Sequence, residues 1–219
     1  TVGHALVMDF SRHLNQVISV DAEARTAKVQ PGVIVNHLNA QLAPLGLMLG
    51  PDPASGDRAT IGGSLSNNAT GMHSILYGMF GDHVRAVDVV LSDGTRLTLG
   101  DGAAAHPVRT RLEDQLRQIL HDNADEIAAR YPKTWRNAAG YALNTLDPDN
   151  LNLARLFAGA EGTLGTVVAV ELGLVSRPAK TRMALLHFDD LRAALESVPA
   201  ILETEPPAIE LIDRMLVDM

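Results

Sequence analysis

From Ala59 to Gly81 the chain carries no Asp, Glu, Lys or Arg, although 20% of all its residues are charged. The stretch is nevertheless rich in Gly, Ser, Asn and Thr, so it is too polar for a membrane span. A segment that is neither charged nor apolar is expected to be buried against something polar, and the rest of the chain must fold around that requirement. The surrounding pattern is one of grouped strands. VISVD (Val17 to Asp21) and TAKVQPG (Thr26 to Gly32) read as strands, the second stopping at Pro31-Gly32, and HALVMDF (His4 to Phe10) alternates weakly ahead of them. VDVVLSDGTRLTL (Val87 to Leu99) is two β-rich runs around Asp93-Gly94, a strong hairpin signal. TVVAVELGLV (Thr166 to Val175) is a further β-branched strand. Strands that follow one another through hairpins, without strict βαβ alternation, predict an α+β fold.

Helices fill the intervals. Val35, Leu38, Leu42 and Leu45 recur at spacings of three and four, with Gly46 beyond the last as a cap. Thr110 to Arg130 places Leu112, Leu116, Ile119 and Leu120 on one face of a single amphipathic helix. Leu151 to Phe157 reads as helical and Gly159 to Gly165 as a Gly-rich turn. Arg177-Pro178 marks a break and a domain boundary; beyond it MALLHF (Met183 to Phe188) reads as a strand and DDLRAALESV (Asp189 to Val198) as a helix opened by an Asp cap. AIELIDRMLVDM reads as the start of another unit, and no internal repeat is visible.

Composition removes several classes of function. The formal charge is −8 and there is no Lys/Arg cluster, which disfavours nucleic acid and lipid surfaces as partners while leaving a small anion open. With no Cys there is no thiolate metal site, iron–sulfur cluster or thiol nucleophile within these residues. The eight histidines include no i,i+4 pair, IGGSLS has Ser66 where a nucleophile elbow needs Gly, and neither a dinucleotide fingerprint nor a P-loop occurs. No apolar run reaches membrane-spanning length. The first residues carry neither an initiator Met nor a signal-peptide pattern, which predicts that the chain starts within a longer protein.

Two Gly-rich segments remain. In PDPASGDRATIGGSLSNNATG (Pro51 to Gly71) two prolines stiffen a turn, and Thr60, Gly62 and Gly63 stand ahead of a short helix expected from Ser64 to Asn68. Side-chain-free residues at a helix start let backbone N–H groups approach a phosphate without any Lys, so the segment reads either as an anion cradle or as an ordinary loop. GAEGTLGTV has the same two readings, with a plain helix-to-strand connection the simpler one.

Taken in order, MDFSRHLN (Met8 to Asn15), VQPGV, PDPAS, TIGGSLSNNATG, YGMFGDHV (Tyr77 to Val84), VVLSDG, NAAGYAL (Asn137 to Leu143) and LFAGAEGTLGTV resemble the FAD-linked oxidases of the vanillyl-alcohol-oxidase type, within them the D-lactate dehydrogenase, glycolate oxidase and D-2-hydroxyglutarate dehydrogenase group. The resemblance covers residues 1 to 178. It implies a partial FAD-binding domain over 1–178, an antiparallel or mixed sheet flanked by helices, followed over 179–219 by the first elements of a substrate-binding cap. It implies non-covalent FAD lying along Pro51, Asp52, Pro53 and Ser55. The diphosphate and ribityl chain would meet Thr60, Gly62, Gly63, Asn68 and Gly71, and one of Asn67 and Asn68 would serve only the helix end. Tyr77 and Gly78 would close the loop below the cofactor; Gly162, Thr163, Gly165 and Val167 would line its adenine and flavin side.

The resemblance further implies oxidation of a D-2-hydroxy acid by hydride transfer to flavin N5, electrons leaving to a quinone or carrier, in a cytoplasmic or membrane-peripheral protein. Alternatives are an alcohol, sugar-lactone or aryl-ether oxidase, or a non-catalytic nucleotide-binding module. Relatives of this type carry a GGGTSLSGQ-type loop ahead of the position of Thr1 and a His-rich, metal-associated segment after that of Met219. Residues 1–219 are therefore expected to supply no catalytic base and no metal ligand, with Arg136 and Tyr141 the only candidates for reaching the flavin. Alone they are expected to release FAD, to be inactive and to self-associate through exposed strand edges.

Overall fold

The computed structural model describes residues 7–217. A five-stranded, wholly antiparallel sheet organises the chain. Its strands are β1 (Val17–Asp21), β2 (Thr26–Val29), β4 (Val84–Val90), β5 (Arg96–Gly100) and β6 (Thr166–Gly173), in the order β1-β2-β6-β4-β5. A small second sheet pairs β3 (Leu47–Met48) with β7 (Val175–Ser176). The β4–β5 hairpin turns at Asp93-Gly94 as its sequence requires: Gly94 takes a φ of +83°, and the Asp93 carboxylate accepts the Thr95 N–H at 2.9 Å. Hydrogen bonds from the Thr95 backbone and side chain hold the Asp93 carboxyl below the ordinary carboxylate range.

Period-two alternation separates the faces of the sheet. Ala27, Val29, Val87, Val89, Val170 and Leu172 enter the core. Lys28 lies on the other side, where it meets the Asp88 carboxylate at 2.7 Å, and Asp88 also accepts the Thr98 hydroxyl at 2.7 Å. Helix α1 (Val35–Leu42) packs Val35, Leu38 and Leu42 into the same core, continues as one 3₁₀ turn to Leu45, and ends at Gly46 with φ +69°. The shorter helices α2 (Ile61–Ser66) and α3 (Ser74–Tyr77) precede β4.

Several expectations are corrected. The helix expected over Thr110 to Arg130 begins at Pro107 and is broken at Asn123 into α4 (Pro107–Asp122) and α5 (Ala124–Arg130). Leu116 and Leu120 are buried in the core but Ile119 is 48% exposed, because the strip that enters the core is narrower than the apolar pattern suggests. Helix α2 starts three residues before Ser64. Of the strand expected over His4 to Phe10, residues 4–6 lie outside the described residues, and residues 7–10 form no ladder. Residues 183–188 likewise form no strand: no neighbouring strand offers them hydrogen bonds, and Met183 is 91% exposed. Beyond them α6 (Leu191–Leu202) opens as expected on an Asp cap, Asp190 accepting the Ala193 N–H at 2.8 Å, and α7 (Arg214–Val217) follows. Among the described residues no helix is long and apolar enough to cross a membrane.

Replacing Asp190 by Ala should cost α6 about 1 kcal/mol, the usual loss for an N-cap. Amide hydrogen exchange across residues 191–202 would register it as faster exchange confined to that helix.

Candidate functional site

The uncharged segment folds back on itself around α2. Ile61 and Leu65, one turn apart, anchor this helix in the core. Thr60 caps it, its hydroxyl oxygen accepting the Gly63 N–H at 3.1 Å. The neighbouring donors are also taken: the Ile61 N–H meets the Val33 carbonyl and the Gly62 N–H the Pro31 carbonyl, each at 2.8 Å. The anion cradle expected from the backbone of Gly62 and Gly63 is thus closed by the chain itself. Gly62 is required for a different reason, since a Cβ there would stand 2.6 Å from the Pro31 ring.

A cavity of about 250 Å³ opens beside α2, between Pro53 and Ser55 on the proline turn and Thr60, Gly63, Ser64 and Asn67 on the helix, with Ala59 and Ala69 completing it. Ser64 is only 3% exposed, and its hydroxyl is buried without a hydrogen-bond partner. An unpaired buried hydroxyl is unfavourable, so Ser64 is a residue of the cavity lining whose polar group still lacks a partner. Thr60, Gly63, Ser64 and Asn67 share a helix face at spacings of three and four. That spacing is the signal by which Ser64 could be found in the sequence; of the two Asn residues weighed there, it is Asn67 that lines the cavity and Asn68 that does not.

The other expected site residues lie outside the lining of this cavity. Pro51 is buried, and Asp52 accepts the His73 N–H at 3.1 Å with one carboxylate oxygen and meets the His73 ring Nδ1 with the other. Gly71 packs directly on the Asp52 carbonyl. Asn68 is buried with φ +49°; its side-chain oxygen accepts the Gly81 N–H at 2.8 Å and its amide contacts the Met79 sulfur, so it holds the chain rather than facing the cavity. Tyr77 and Gly78 sit at the end of α3, where the ring nitrogens of the buried His83 lie 2.8 and 3.2 Å from the carbonyl oxygens of Tyr77 and Gly173. Gly162, with φ +77°, is open to solvent, while a Cβ on Gly165 would meet the Val90 carbonyl at 3.0 Å. Val167 pairs with Val89 in the sheet.

Tertiary structure brings the two Gly-rich segments together. The N–H groups of Gly159 and Glu161 each bond at 3.0 Å to the last carbonyls of α2, those of Leu65 and Ser66. Residues 137–143 join them: Gly159 lies against the Gly140 carbonyl, the Tyr141 hydroxyl is 2.7 Å from that of Thr163, and the Arg136 guanidinium donates to the Gly71 carbonyl at 3.4 Å. A larger cleft of about 360 Å³ lies elsewhere, between Leu120, Ile127, Tyr131 and Leu146, and contains none of these residues. Among the described residues no group of three or more His, Asp or Glu is placed to hold a metal.

Residues 1–100 match the FAD binding domain family. The chain is similar to D-2-hydroxyglutarate dehydrogenase of Pseudomonas putida, 33% identical over 95% of this chain and 22% of the relative, and to that of Escherichia coli K12, 30% identical over 100% and 22%. It is also similar to the glycolate oxidase subunit GlcD of Bacillus subtilis, 29% identical over 93% and 35%. It therefore spans about a fifth of the length of the D-2-hydroxyglutarate dehydrogenases that it matches. Among solved structures, an alkyldihydroxyacetonephosphate synthase superposes with a TM-score of 0.58 at 22% identity over 90% of this chain and 28% of that one, a likeness of fold. The family match covers the segment that builds the Ser64 cavity: residues 1–100 carry an FAD-binding domain, in a fold of the vanillyl-alcohol-oxidase type, and FAD is its cofactor.

Proposed function

We propose that the whole protein oxidises a D-2-hydroxy acid, that residues 1–178 form its FAD-binding domain and that residues 179–219 open a substrate-binding cap. The observation that carries this reading is similarity along nearly the entire chain to D-2-hydroxyglutarate dehydrogenases, combined with a cavity whose chemistry suits the cofactor. When bound, FAD supplies a two-electron acceptor for the substrate C2 hydride, and the electrons then leave to a quinone or carrier. This chain's own part is binding and orientation. The Ser64 hydroxyl would be the donor to a cofactor oxygen, the Ser55 hydroxyl and Asn67 amide would add polar contacts from the two walls, and Thr60 keeps α2 in place. A cavity of this size receives only part of a dinucleotide, held non-covalently.

Steady-state assays of the full-length protein with D-2-hydroxyglutarate, D-lactate and glycolate and an artificial electron acceptor test the activity; turnover of none of them would overturn it. The cavity has a separate test with effects of opposite sign. Ser64→Ala removes a buried unpaired hydroxyl, so the apoprotein should gain about 1 kcal/mol in urea unfolding, while FAD affinity should fall roughly tenfold through loss of one charge-assisted bond. Unchanged affinity would place the cofactor elsewhere.

A further inference from the structure

We propose that Asp52 and His73 form a clamp that sets the width of the FAD pocket, with His73 as a positioning residue; this rests on placing the cofactor in the Ser64 cavity. Asp52 belongs to the proline-stiffened turn whose Pro53 and Ser55 make one wall of the cavity. His73 follows Gly71 on the strand of chain that leaves the opposite wall at Asn67 and Ala69. Between these walls the carboxylate makes two bonds to one residue, to the His73 backbone N–H at 3.1 Å and to its ring Nδ1. A bidentate contact fixes both separation and orientation, which one bond would leave free to pivot.

The surroundings tighten the same joint. The Gly71 N–H donates to the Ser74 hydroxyl at 2.8 Å, and Arg136 reaches the Gly71 carbonyl, so the His73 side of the clamp is itself held from two directions. Asp52 and His73 side chains are 29% and 33% exposed, which leaves the pair screened from bulk water on most sides. No partner meets the His73 Nε2 among the described residues, so the ring's bonding is directed at Asp52. The clamp needs an N–H donor at the Nδ1 position and a carboxylate opposite it.

The test uses apoprotein prepared from the full-length protein, with FAD affinity read from quenching of flavin fluorescence. His73→Gln and Asp52→Ala should each weaken FAD roughly tenfold to a hundredfold, the range expected for losing charge-assisted bonds. Because they break the same joint, Asp52→Ala combined with His73→Gln should bind no more weakly than the poorer single variant. His73→Asn, whose amide N–H occupies nearly the place of Nδ1–H, should recover affinity to within about threefold of the parent. Additive losses, or His73→Asn as poor as His73→Gln, would overturn the clamp. Ser64→Ala separates the two ideas: if it weakens FAD while the Asp52 and His73 variants do not, the clamp fails and the cavity stands; if it has no effect, the cofactor placement fails.

Discussion

Gly71→Ala is expected to weaken FAD binding in the full-length protein roughly a hundredfold. A Cβ at this position would lie 2.1 Å from the Asp52 carbonyl oxygen and 2.3 Å from its carbonyl carbon, distances that no side chain tolerates. Both obstacles are backbone, so no rotamer change relieves them and the proline turn must separate from the segment leaving α2. That movement widens the cavity between Pro53 and Asn67, and a displacement on the order of 1 Å in a positioned site commonly costs roughly a hundredfold. Flavin absorbance of the purified variant and FAD titration of its apoprotein check this. An affinity within a few-fold of the parent would show that the two loops do not need their close approach. Ala is otherwise a mild change, which makes the contrast with Ser64→Ala informative: one alters a contact, the other the distance between the walls.

Phe80→Ala should destabilise the domain by about 3–5 kcal/mol, a large share of the 5–15 kcal/mol that a typical domain possesses. Phe80 is fully buried in the cluster that joins β4, α2 and the 3₁₀ turn Leu153–Phe157. Its backbone N–H bonds to the Ala69 carbonyl at 2.9 Å, and the next residue, Gly81, bonds to the Asn68 side chain. A cavity left by the ring therefore opens directly beneath the chain that leaves α2, where close packing on both sides hinders collapse. Guanidinium unfolding of the apoprotein should show a lower midpoint with unchanged slope. A shift worth under 1 kcal/mol would mean that the ring is not part of a single cooperative core.

Several elements were legible because their causes are local. The Asp93-Gly94 hairpin follows from turn chemistry, α1 from apolar spacing and its Gly46 cap, and α6 from an Asp at its N-cap; none needs a distant residue. The grouping of strands was enough to predict an α+β fold, and the order of short motifs pointed to FAD before any geometry. Failures occurred where the outcome depends on a partner far along the chain. MALLHF has strand composition, yet a strand exists only if another offers its backbone groups, and none does. The break at Asn123 has a local polar residue to mark it, but the apolar rhythm ran through it and concealed it.

By itself the sequence determined the class of fold, the Asp93-Gly94 hairpin, the places of α1 and α6, the absence of charge over residues 59–81, and the family to which these motifs point. Only the tertiary structure decided how that segment is used: it buries Ile61, Ser64, Leu65, Asn68 and Phe80 but leaves Met72, Ile75 and Leu76 exposed, so the burial expected of the whole stretch holds for part of it. The carbonyls of Pro31 and Val33 take the N–H groups that the glycines seemed to leave free, Ser64 is left as the buried unpaired donor, and Asp52 finds His73. The physical reason is that a motif states which groups are present, whereas the availability of each N–H or hydroxyl depends on which distant backbone packs against it. For a pocket built from uncharged residues, that availability is the chemistry.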